Sequence, residues 1–161
     1  MTSIFDVARY ILHKSGEMSI WKLQKLCWYA LAWHGAWTGK VLFRENFEAW
    51  KNGPVCPALF ECHCELSISE INLPDDKQKE LNKEEKESID IVLNAYNDFD
   101  AYDLKEIVRL SSPYCSVRQE WEAQQKQDAA EERPFSGPVI PKKEIFRYYQ
   151  HLQAEVEKFN L

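Results

Sequence analysis

Ser19 to Trp37 reads SIWKLQKLCWYALAWHGAW. Leu23, Leu26, Ala30, Trp33 and Trp37 recur at helical spacing, and Trp21, Trp28 and Leu31 widen the stripe. A helix that is apolar over most of its circumference has to be packed on several sides. This stretch is therefore expected to be the central helix of a mainly helical bundle, stopped by Gly39. Upstream, Ser3 and Asp6 form a capping-box pattern, and Ile4, Ala8, Ile11 and Leu12 continue at helical spacing until Gly16.

Downstream the character changes. Val41 to Trp50 (VLFRENFEAW) is short and aromatic, and Asn52-Gly53-Pro54 follows as a turn signal, so a short strand or hairpin is expected there. Pro57 suits the first turn of a helix running to about Leu66, because its missing N–H costs nothing at that place. Residues 67–82 read as a polar loop with room for a brief strand at Ile68–Leu73. Asn82 is placed to cap a helix carrying Ile89, Val92, Leu93 and Tyr96. After a break at Asp98–Asp100 come Leu104, Ile107 and Val108, an interruption at Pro113, and a further helical stretch through Val117 and Trp121.

Ala123–Arg133 is polar, either an exposed continuation of that helix or a linker. Pro134, Gly137, Pro138 and Pro141 mark an extended connection. The last helix starts near Lys142, with Ile145, Tyr148 or Tyr149, Leu152, Val156 and Phe159 on one side. The expected fold is one domain of 161 residues: a compact helical bundle with a small β-hairpin or short strands between helices 2 and 3.

The net charge of −6 disfavours a protein that coats nucleic acid, since that affinity rests on Lys and Arg neutralising phosphates. Most of the excess acid lies between Glu70 and Glu106, where 12 acids stand against 5 lysines. That segment is a solvated helix face or an attractor for a basic partner. No apolar run approaches the roughly 20 residues that span a bilayer. The N-terminus lacks the basic start and apolar run of a signal peptide, and the five cysteines are an odd number, so reduced thiols and a cytoplasmic location are expected.

Cys56, Cys62, His63 and Cys64 fall within nine residues, but no C-x-x-C pair occurs, and neighbouring residues on a helix point about 100° apart. No metal or cofactor is expected. There is no G-x-S-x-G, no H-E-x-x-H and no Gly-rich phosphate loop, which leaves only a Cys–His dyad through Cys115 or Cys27 as a catalytic option. An enzyme is not expected. The first two helices, joined at Gly16, superficially suit a helix-turn-helix. The second offers Trp21, Trp28, Tyr29 and Trp33 where base-reading polar side chains belong.

The segments Lys22-Leu23-Gln24-Lys25-Leu26-Cys27-Trp28-Tyr29, Ala32-Trp33, Leu42-Phe43, Phe47-Glu48-Ala49-Trp50, Gly53-Pro54-Val55 and Pro57-Ala58-Leu59 occur in one order. This pattern resembles the SocA-like antitoxin family, also called the Panacea domain and known in prophages as phage-associated protein GepA. Ile4–Leu12 is also similar to the family's start, and Ile145–Tyr149 is compatible with its last helix. Ser111-Ser112-Pro113-Tyr114 departs from it, with Tyr where the family often has Trp. The resemblance implies a helical antitoxin that binds and neutralises a protein toxin encoded by an adjacent gene, by direct inhibition or by delivery to a cellular protease. It implies no enzymatic activity, no cofactor and no membrane partner. The alternative is a prophage regulator that binds a host protein or DNA.

Leu23, Leu26, Trp33 and Phe47 are expected in the core, with Gly53 and Pro54 setting a turn. The expected contact face joins the Lys22–Tyr29 helix to the Phe47–Pro57 turn. Its candidate residues are Lys22, Gln24, Lys25, Tyr29, Glu48, Trp50, Gly53, Pro54 and Pro57. Glu48 has two possible roles there, answering one of the lysines within the fold or meeting the partner.

Overall fold

Helix boundaries in this chain are set by local caps, and the computed structural model places them near the sequence signals; it describes residues 2–62, 67–68, 73–74, 78–125 and 135–159. In α1 (Ile4–Ser15) the Ser3 hydroxyl accepts from the Asp6 N–H and the Asp6 carboxylate accepts from the Ser3 N–H, the reciprocal pair of a capping box. A short strand β1 (Met18–Ser19) leads into α2 (Ile20–Thr38), where Ser19 is the N-cap and Gly39 closes the C-terminus in the left-handed conformation.

α2 is the core of the molecule. Every residue from Leu23 to Gly35 is buried, and the helix packs against α1, α4 (Lys83–Tyr96), α5 (Ala101–Arg109) and α7 (Lys142–Phe159). The α2–α7 crossing is close at Gly35, where a Cβ would run into the Phe146 ring. Trp28 and Tyr29 are fully enclosed, whereas Trp37, at the end of the expected stripe, is partly exposed and stacks on Trp33.

Between α2 and α3 (Pro57–Phe60) lies a hairpin of β2 (Glu48–Trp50) and β3 (Gly53–Val55), paired Glu48↔Val55, Ala49↔Pro54 and Trp50↔Gly53. The strand is shorter than the aromatic run suggested. Leu42, Phe43 and Phe47 are buried plugs in an irregular segment, so their side chains serve the core and do not alternate along a ladder. Gly53 and Pro54, expected in the turn, belong to β3, and the two-residue loop is Lys51–Asn52. Pro54 is tolerated because β3 is an edge strand. The helix begun by Pro57 ends at Phe60 instead of continuing to Leu66, and residues 63–66 lie outside the described region.

β4 (Ser67–Ile68) pairs antiparallel with β1; the remainder of the strand expected up to Leu73 falls mostly on residues outside the description. Asn82 and Glu85 form the second capping box at the start of α4. Asp100 caps α5, and Pro113 sits in the first turn of α6 (Ser112–Gln124). The Ala123–Arg133 alternatives fall largely outside the described residues as well. The connection before α7 runs extended against β2, with Ala49 N–H donating to Pro138 O and Ile140 N–H donating to Phe47 O. In α7, Ile145 and Tyr149 are buried; Val156 is exposed, so the last turns extend past the core they were expected to cover.

Candidate functional site

Lys25 lies on the buried face of α2, and its whole residue is 2% exposed. Its ammonium donates to Pro54 O at 3.1 Å, and no carboxylate stands within ion-pair distance among the described residues. Gly53 makes this position available. At φ +126° it adopts a conformation other residues rarely take, and a Cβ there would stand 2.9 Å from Lys25 Cε. Burial, and then the neighbouring Lys105 charge, push the Lys25 pKa down to about 7.

Three side chains hold the hairpin that Lys25 touches. The Gln24 amide donates to Cys56 O at 3.0 Å and accepts from Cys56 N–H at 2.9 Å. The Tyr114 hydroxyl meets Trp50 O and, at 3.0 Å, Lys51 O. Tyr114 is the residue that departs from the expected Trp, and its hydroxyl serves the carbonyls of the hairpin loop. Arg118 donates to Ala49 O and Ser136 O and pairs with Glu122 at 2.7 Å, joining β2 to the connection before α7.

Above Lys25 opens a cleft of about 400 Å³ between α2, the hairpin loop, α5 and the connection. Its walls are Trp21, Lys25, Asn52, Ala101, Tyr102, Lys105 and Phe135. A narrow recess of about 20 Å³ continues beside Lys25, Trp50, Gly53 and Val55. Tyr102 and Phe135 are 63% and 60% exposed, and Phe135 joins Trp50 and Phe60 in a ring cluster that Trp21 extends. The Lys105 ammonium lies 4.7 Å from the Tyr102 ring centre and loosely pairs with Glu106 at 3.8 Å. Exposed aromatic rings beside cations are typical anchors of protein interfaces.

The structure divides the nine candidate contact residues. Gln24, Tyr29, Gly53 and Pro54 are buried and have almost no surface to offer. Tyr29 stacks on Tyr96 with ring centres 4.0 Å apart. Lys25 and Trp50 are buried yet reach the cleft from below. Lys22, Glu48 and Pro57 are half-buried. Lys22 donates to Asn97 O, and Glu48 answers neither lysine, since its Oε1 accepts from the Trp50 indole. The sequence reading missed Tyr102, Lys105 and Phe135. A signal existed on α5, where Tyr102 and Lys105 fall off the Leu104–Val108 stripe. Phe135 had none, being one aromatic in a proline-rich connection.

Cys27 and Cys56 are buried thiols with pKa values raised by burial. His63 and Cys64 lie outside the described residues, and no group of three or more His, Cys, Asp or Glu that could hold a metal occurs among the described ones. No helix among them is long and apolar enough to cross a membrane. Leu23–Gly35 of α2 is buried, which leaves that helix little surface to present to a DNA groove.

No curated protein and no solved structure matches the chain. A family model described as antitoxin SocA-like, Panacea domain, matches residues 23–113. That match covers more than half of the sequence and includes α2 from Leu23, the hairpin, α5 and the start of α6. By that match the chain belongs to the SocA-like, Panacea-domain antitoxin family.

Proposed function

We propose that this protein is an antitoxin that neutralises a protein toxin encoded beside it by direct contact, without catalysis, in the cytoplasm. The contact face is the cleft between α2, the hairpin loop and α5, with its aromatic rim. One observation carries the reading: the region matched by the antitoxin family contributes Lys25, Asn52, Ala101, Tyr102 and Lys105 to that cleft. Blocking the toxin's working surface is the primary action, and presentation to a protease is a second route open to the same complex. Lys25 and Trp50 act from the cleft floor, while Gln24, Tyr29, Gly53 and Pro54 shape it from within.

The test is expression of the adjoining open reading frame alone and together with this protein. Growth arrest by the neighbour, relief on co-expression and co-purification of the two chains are expected. A harmless neighbour, or rescue with no physical complex, removes the reading. It would favour a prophage regulator of a host protein or DNA.

A further inference from the structure

Lys25 is a buried amine with no counter-charge within ion-pair distance among the described residues. In its protonated form it has three donors, and among the described residues it donates to Pro54 O alone. Holding a charge so incompletely paired in a buried place is unfavourable, and a methionine of similar length would avoid that cost. A second cation, Lys105, lines the same cleft, and no acidic residue does among the described residues. Glu106 takes part of the Lys105 charge from outside, but it does not reach Lys25. The cleft thus has a cationic floor beneath aromatic walls.

Its shape limits what can complete the pairing. The recess beside Lys25 is about 20 Å³, room for one small group and too narrow for a stretch of backbone. The outer cleft, about 400 Å³, has space for the residues on either side of such a group, against Trp21, Tyr102 and Phe135.

We propose that the cleft is a receptor for one acidic side chain of the partner protein: an Asp or Glu carboxylate on Lys25 and Lys105, its apolar neighbours lying on the aromatic rim. This rests on the partner being a protein, as proposed above. It adds the chemistry by which that partner is recognised. A carboxylate here forms charge-assisted bonds, strongest at the Lys25 end, where the side chain is already shielded from water. The long-range field of this acidic chain does not attract an acidic segment, so selectivity comes from the local floor.

The test uses two capped tripeptides, acetyl-Phe-Glu-Phe-amide and acetyl-Phe-Gln-Phe-amide, titrated into the isotope-labelled protein and followed by amide shifts. The Glu peptide is expected to move the amides around Lys25, Tyr102 and Lys105 and to bind about tenfold or more tightly than the Gln peptide. Lys25→Met, checked to melt no lower than the wild type, should bind both peptides equally weakly. Lys105→Gln, at a more accessible position that does not endanger folding, should lose part of the difference. Equal binding of the two peptides to wild type, or an unchanged preference in Lys25→Met, overturns the receptor. So does displacement of the Glu peptide by inorganic phosphate at equal concentration, which would indicate a phosphate or nucleic-acid site. Co-expression separates the two readings. A Lys25→Met protein that still protects cells fully removes the carboxylate receptor and leaves the antitoxin. A wild type that discriminates the peptides but neither protects nor co-purifies removes the antitoxin and leaves the receptor.

Discussion

The Gln24 side chain pairs with both backbone polar groups of Cys56, reproducing with one amide the two-bond exchange of an antiparallel pair. It thereby fixes the end of β3 and the entry to α3 from the central helix. Gln24→Leu keeps the volume but leaves the Cys56 N–H buried without a partner, while the Cys56 C=O keeps the Phe60 N–H. The expected loss is about 1–3 kcal/mol, from one unsatisfied buried donor and one lost bond to a carbonyl that keeps another. Urea unfolding of the variant checks this, and a loss below about 1 kcal/mol would mean that water replaces the amide.

Stability should rise with pH just above neutrality because of Lys25. Its pKa is about 7 in the fold against 10.5 in the open chain, so between those values the unfolded state binds the extra proton. The stabilisation from the neutral amine is complete above 10.5 and is lost as pH falls through about 7. Lys105 and Tyr102 of α5 face it from across the cleft, and Lys105 enhances the effect. The slope reaches at most about 1.4 kcal/mol per pH unit. His34, its pKa lowered by burial, adds a rise confined to pH below 6.5. At alkaline pH Cys27, Cys56 and Tyr29, all raised by burial, act in the opposite direction. Urea midpoints between about pH 7 and pH 8.5 should therefore climb for wild type and stay level for Lys25→Met. A climb of equal size in the variant assigns the effect to another group.

Tyr114→Phe removes the hydroxyl that serves Trp50 O and Lys51 O while leaving the ring in place. A loss of about 1–2 kcal/mol is expected, with faster amide exchange confined to the hairpin and the neighbouring connection. Faster exchange spread evenly over α2 would instead place Tyr114 in the global core.

The thiols divide by exposure. Cys27 and Cys56 are buried with pKa values driven up, so little thiolate forms and none is accessible. Cys62 and Cys115 are half-exposed. Iodoacetamide labelling of native protein, read by peptide mass, should modify Cys115 and Cys62 well before Cys27 and Cys56. Early labelling of Cys56 would show that the hairpin opens away from Gln24.

The features legible in the residues alone are local or strongly periodic. The capping boxes at Ser3 and Asp6 and at Asn82 and Glu85 involve residues three apart, so nothing distant can alter them. The all-round apolar character of Ser19–Trp37 made α2 central, because such a surface has no other place to go. The ordered motifs from Lys22 to Leu59 carried the family. Which of those motif residues face the cleft is set by packing between distant elements. Lys25, expected on the contact face of its helix, is enclosed because α5 and the hairpin close over it and Gly53 lets the backbone come near. The cleft itself joins Trp21, Asn52, Tyr102 and Phe135, residues far apart in the chain. No sequence period links them; their neighbourhood is made by helix packing and by the connection docking along β2.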